Sequence, residues 1–95
     1  MIALAGELDL AGAAALEREL EDLDDPAVVI DLRGLGFMDS SGLRALALAA
    51  LRLDGAGRRF ALVPGAAQVM RVFDITRMRE RLEFVADPAE VRVAP

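Results

Sequence analysis

Residues 28–53 read VVIDLRGLGFMDSSGLRALALAALRL, and this stretch decides the fold. Val28-Val29-Ile30-Asp31-Leu32 is β-branched and nearly continuous, the pattern of a buried strand. Gly34 and Gly36 predict a loop after it, and Ser41-Gly42 opens a helix that runs as far as Leu53. Asp54-Gly55-Ala56-Gly57 is a strong stop for that helix. A buried strand feeding a helix through a short connection is the repeating unit of an α/β domain.

The same order continues on both sides. Upstream, Ile2 to Gly6 is a short apolar run that predicts a strand. Leu10 to Leu23 follows with Leu16, Leu20 and Leu23 at helical spacing, Glu17, Glu19, Glu21 and Asp22 elsewhere, and Asp9 placed as an N-cap. Downstream, Phe60 to Val63 predicts a third core strand and Pro64-Gly65 a turn. Ala66 to Phe73 carries Val69, Met70, Val72 and Phe73 at helical spacing, and Leu82 to Val85 predicts a fourth strand. Asp87-Pro88 is a helix start with little chain behind it. The expectation is one α/β domain over residues 1–95, a small, mostly parallel or mixed β-sheet with α-helices packed against it. In such sheets the loops at the carboxyl ends of the strands gather on one edge, where ligands bind. Asp9, Asp39 and the adjacent serines are expected to meet there.

Composition narrows the chemistry. The 95 residues include no Cys, His, Trp, Tyr, Lys or Asn, so all 11 basic residues are Arg. Ser-His-Asp and Cys-His dyads, soft zinc sites, P-loop lysines and Schiff bases are therefore excluded. No cofactor or metal site is expected. The absence of cysteine suits a cytoplasmic protein. No run approaches the roughly 18 apolar residues of a membrane span, so no direct membrane insertion is expected. A net charge of -5 argues against nucleic acid. The charge is uneven, with eight acids and one Arg in residues 1–25 and eight acids and ten Arg in the remainder. The acids of Glu17 to Asp25 read as a solvated helix face. Arg77, Arg79 and Arg81 read as a polar loop entering a strand.

Only three side chains carry a hydroxyl: Ser40, Ser41 and Thr76. Asp39-Ser40-Ser41-Gly42 stands at a helix start, where Asp and Ser serve as caps. A cap needs one such residue, however, and a capping box is absent because Leu43 and Arg44 stand three residues on from the serines. The functional reading is a phosphate acceptor, since a helix amino end tolerates a phosphoserine. Modification adds about -1.5 to -2 charge beside Asp39 and Asp9, which makes a switch. On the second helix, Leu43, Leu46, Ala47, Ala50 and Leu51 are expected to face the core. Arg44, Leu48 and Arg52, flanked by Ala45 and Ala49, form the opposite face. That face is either an ordinary Ala-rich surface or a small docking surface with two Arg to meet an acidic partner.

Gly6-Glu7-Leu8-Asp9-Leu10, the strand Val28 to Leu32, and Phe37-Met38-Asp39-Ser40-Ser41-Gly42-Leu43 together resemble the STAS domain family, in particular bacterial anti-sigma factor antagonists. Gly57 before Phe60 to Val63, and Val69 to Thr76 after it, fit the same pattern. The resemblance implies a non-enzymatic regulator whose unmodified form binds an anti-sigma factor serine kinase and frees a sigma factor. ATP-dependent phosphorylation then ends the association, and a phosphoserine phosphatase resets it. The family's phosphoacceptor follows the motif Asp and maps to Ser40, with Asp9, Asp39, Ser41 and Gly42 around it. The resemblance also implies more chain before the Gly-Glu-Leu-Asp motif than residues 1–5 supply, so an early strand is expected to be missing or to lie upstream. Two other readings stand beside this one. One is a STAS accessory subunit of a membrane lipid-transport ATPase, not phosphorylated. The other is a hydrolase using Asp9 and Asp39 as acid and base.

Overall fold

A computed structural model of the chain describes residues 1–91; the last four positions of the expected 1–95 domain lie outside the described residues. Strand β1 (Ile2–Leu8) leads into helix α1 (Leu10–Glu21), then β2 (Ala27–Met38), α2 (Ser40–Gly55), β3 (Arg59–Val63), α3 (Ala67–Ile75) and the two-residue β4 (Glu83–Phe84). Short 3₁₀ turns occupy Met78–Glu80 and Pro88–Glu90. All four strands are parallel, in the order β1-β2-β3-β4. The strand-helix alternation and the parallel sheet expected from the sequence are therefore present.

β2 pairs with β1 on one side and β3 on the other, which is why its sequence is apolar on both faces. Val28, Ile30 and Leu32 point to the main core with Phe60 and Leu62 of β3, Leu16 and Leu20 of α1, Leu43, Leu46, Ala49 and Leu53 of α2, and Val69, Met70 and Phe73 of α3. All three helices thus pack on one face of the sheet. The opposite face holds a smaller cluster of Val29, Ala61, Val63 and Val85, with Val91 of the C-terminal segment against it. No helix among the described residues is long and apolar enough to cross a membrane.

The expected loop at Gly34 and Gly36 is instead part of β2, which runs on for 12 residues to Met38. The glycines answer to the neighbouring strand. The register to β1 jumps between Ala3↔Asp31 and Ala5↔Gly34, and again between Gly6↔Leu35 and Glu7↔Phe37, so β2 carries an extra residue at each place. A Cβ at Gly34 would stand 2.9 Å from the Leu4 carbonyl oxygen, inside any allowed contact. Glycine there lets the bulged strand stay paired. The bulges extend β2 until its end lies beside the end of β1.

On the open sheet face, the Arg33 Nε and Nη2 donate to the two carboxylate oxygens of Asp31, 2.9 Å each, and the Arg33 amide donates to Oδ1 at 3.0 Å. These bonds hold the Asp31 carboxyl below its ordinary range, against the burial that pushes it up. With the folded value lower than the unfolded one, the pair stabilises the fold above the unfolded carboxylate pKa of about 3.9, and this contribution is lost as pH falls through the folded value. Asp31→Asn is expected to flatten the acid limb of the stability curve below about pH 4. Parallel limbs for wild type and variant in urea titrations at successive pH values would detach Asp31 from the acid response.

Candidate functional site

Two strands of a parallel sheet that end together deliver their next residues to one edge. Leu8 pairs with Met38, and the Asp39 amide donates to the Leu8 carbonyl at 3.3 Å. Asp9 and Asp39 follow those two paired positions, and each turns the chain directly into a helix. Asp9 Oδ1 accepts from the Gly12 amide at 3.0 Å. Asp39 Oδ1 accepts from the Ser41 amide at 2.9 Å and the Gly42 amide at 3.2 Å. Both acids are N-caps, as the spacing predicted for Asp9.

Asp39 rather than a serine caps α2, which leaves both hydroxyls available. Ser40 is the first helical residue and exposed, while Ser41 is half-buried. Neither serine side chain has a hydrogen-bond partner among the described residues. Thr76 differs, since its Oγ1 donates to the carbonyl oxygens of Val72 at 2.7 Å and Phe73 at 3.2 Å at the end of α3. Of three hydroxyls, the two at the strand edge are therefore the uncommitted ones. Gly42 sits closest to the sheet. A Cβ there would meet the Leu8 carbonyl oxygen at 2.5 Å and Cγ of Leu8 and Met38 at 2.8 Å each. The glycine lets the first turn of α2 rest on the ends of β1 and β2, which presents Ser40 outward.

Around Ser40 the surface is partly apolar. Phe37 is 50% exposed and Leu10, the first residue of α1, is 74% exposed. The Gln68 side-chain amide donates to the Gly36 carbonyl at 3.3 Å, which brings the start of α3 to the same edge.

Arg44, Leu48 and Arg52 are exposed along α2, as the helical spacing predicted. Neither Arg makes an ion pair among the described residues. The expected core face needs correction. Leu51 is 69% exposed, while Ala45 and Ala49 are buried at 3% and 1%, and Ala47 and Ala50 are half-buried. The sheet takes the stripe Leu43, Leu46, Ala49 and Leu53, and small alanines beside it permit close approach, so the helix is rotated from the expected orientation. Leu51 then joins Leu48 on the outer face.

Beyond Leu51, at the end of α2 away from Ser40, a groove of about 420 Å³ is lined by apolar residues such as Leu51, Met78 and Leu82 and by charged ones such as Asp54, Arg58 and Arg81. A second cleft of about 240 Å³ lies by Leu20, Leu23 and Arg52. Asp9 and Asp39 line neither. Oδ1 of each carboxylate is instead engaged by helix amides. Among the described residues no three acids are grouped to hold a metal ion.

The sequence reading missed Leu51 and the Asp31–Arg33 pair. Leu51 stands three residues after Leu48 and seven after Arg44, a spacing that marks the outer face once the rotation is known. Asp31 and Arg33 alternate on one strand face, the signal that links them.

A family described as Mlab, STAS domain, matches residues 1–86 of the chain. Among solved structures, an anti-sigma factor antagonist from Mycobacterium paratuberculosis superposes with a TM-score of 0.81 at 27% identity, covering 93% of this chain and 77% of that one. No match was found among curated proteins.

Proposed function

The chain belongs to the STAS domain family, and from that premise we propose that it is an anti-sigma factor antagonist switched by phosphorylation of Ser40. The unmodified protein binds an anti-sigma factor serine kinase and so releases a sigma factor. The kinase transfers the γ-phosphoryl group of ATP to the Ser40 oxygen, the hydroxyl proton leaves, and ADP departs. The phosphoprotein then dissociates until a phosphoserine phosphatase restores the hydroxyl. The protein itself catalyses no step, acts as a single domain and works in the cytoplasm, where ATP and sigma factors are found.

One observation carries this reading: an exposed serine with an uncommitted hydroxyl at the first position of α2, beside two capping carboxylates. The similarity to a solved anti-sigma factor antagonist supports it. Asp39 sets the helix start, Asp9 holds the neighbouring strand end, Ser41 and Gly42 complete the turn, and Arg44, Leu48 and Arg52 provide the docking face. A phosphate adds about -1.5 to -2 charge to an edge that already carries two acids. The expected result of incubation with the cognate kinase and ATP is a mass gain of one phosphate that Ser40→Ala abolishes and Ser41→Ala retains. Ser40→Asp is expected to weaken kinase binding. A gain that survives Ser40→Ala sinks the assignment.

A second reading rests on the outer face of α2, where exposed Leu48 and Leu51 suit a permanently held subunit. In that reading the protein is a STAS accessory subunit of a membrane lipid-transport ATPase, with Ser40 unmodified. Pull-down from the source cells separates the two, by recovering a transport ATPase rather than a kinase.

A further inference from the structure

We propose that Arg44 closes onto the phosphate once Ser40 is modified, so that phosphorylation withdraws a docking cation as well as adding charge. This inference rests on the phosphoacceptor role of Ser40.

A phosphate at a helix amino end ordinarily binds the free backbone amides there. In α2 only the Ser40 amide lacks an acceptor among the described residues, and the donors that follow it are taken. The amides of Ser41 and Gly42 donate to the Asp39 carboxylate, and the Leu43 amide donates to the Asp39 carbonyl at 3.1 Å. To use the first two, the phosphate must displace a carboxylate whose own charge then lies against it. The counter-charge has to come from a side chain.

Arg44 is placed to supply it. Ser40 and Arg44 are four residues apart in a continuous α-helix and both are exposed. Residues so spaced are surface neighbours, about 5–6 Å between Cβ atoms, and the favoured order puts the anion on the amino side and the cation on the carboxyl side. The positions three and four residues from Arg44 are Ser41, Ala47, Ser40 and Leu48, so no acid on its own helix competes. Arg44 makes no ion pair among the described residues. Its guanidinium fork matches two phosphate oxygens at once. Arg52 stands eight residues further on, roughly 12 Å along the axis, and is out of reach.

The unmodified protein therefore offers two cations, Arg44 and Arg52, to an acidic partner surface. The phosphoprotein offers Arg52 alone, with a paired phosphate where Arg44 was free. Both changes weaken the same contact.

The test places phosphoserine at position 40 during translation, without a kinase, and follows the phosphate by ³¹P NMR from pH 5 to 8. Its second pKa, near 6 for a free phosphoserine, is expected to be lower by about 0.5 unit in the otherwise unaltered phosphoprotein than in Arg44→Gln. Arg44→Lys keeps part of the shift, and Arg52→Gln leaves it in place. The Arg44 Nε resonance is expected to move on phosphorylation. Equal pKa values in the unaltered and Arg44→Gln phosphoproteins overturn the inference, as does an equal change in Arg52→Gln, which would mark a diffuse charge effect. Either failure leaves the phosphoacceptor reading standing, because kinase-dependent mass gain at Ser40 is measured separately.

Discussion

Gly42→Ala is expected to lower folding stability by about 3 kcal/mol. The added methyl would stand 2.5 Å from the Leu8 carbonyl oxygen and 2.8 Å from Cγ of both Leu8 and Met38. Two of these contacts are flexible side-chain atoms, but the first is backbone in a paired strand. That carbonyl also accepts the Asp39 amide, so relief by moving it weakens the bond that joins the ends of β1 and β2. Relief by lifting α2 instead pulls Asp39 from its two cap hydrogen bonds. Each route disturbs the turn that presents Ser40. Urea unfolding of Gly42→Ala beside Gly55→Ala checks this, because a Cβ at Gly55 meets nothing within 4 Å. Similar midpoints for the two variants would show that the first turn of α2 does not rest on the sheet as described.

The second large effect lies at the other end of the chain. Phe73→Ala is expected to cost about 3–5 kcal/mol, a large share of the roughly 5–15 kcal/mol that holds a domain of this size. Phe73 is fully buried, and its ring meets Phe84 edge-on at 5.3 Å and 88°. α3 has nine residues and no side-chain cap at its start, and β4 has two residues. Neither element has much local stability, so both depend on this ring. The Arg79 guanidinium, 5.6 Å over Phe84, adds a smaller attraction on the outside. In denaturant titrations a loss below about 1 kcal/mol would mean that α3 and β4 are held by something other than the aromatic pair.

Both effects show where local reading stops. Gly42 is legible as part of a helix start, because a cap involves residues within three positions of each other. What forbids a methyl there is Leu8, more than thirty positions away. Gly34 and Gly36 are similar. Their local signal is a loop, yet both stand inside β2 paired to β1, and at Gly34 the Leu4 carbonyl of that adjacent strand leaves no room for a Cβ. Phe73 is legible as a core residue from its spacing, while its partner Phe84 is visible only when β4 is laid beside β3.

Helix α2 shows the same limit for a whole face. Leucines at 43, 46, 48, 51 and 53 with alanines between them allow more than one apolar stripe. Spacing alone supports Leu51 inside and Ala49 outside, and the helix packs the other way. Packing against the sheet and α1 settles this, burying the small Ala45 and Ala49 and leaving the larger Leu48 and Leu51 in solvent. The Arg44, Leu48 and Arg52 stripe was legible because the two arginines must face water whichever way the helix turns.

By itself the sequence determined the order of strands and helices, the Asp9 cap, and a helix start at the Asp39-Ser40-Ser41-Gly42 run. These are consequences of short-range hydrogen bonding and periodicity. The tertiary structure decided where β2 ends, which leucines of α2 remain exposed, and that Leu8 bars a side chain at Gly42. Each of those depends on which surface meets which across the sheet, and no window of neighbouring residues contains both partners.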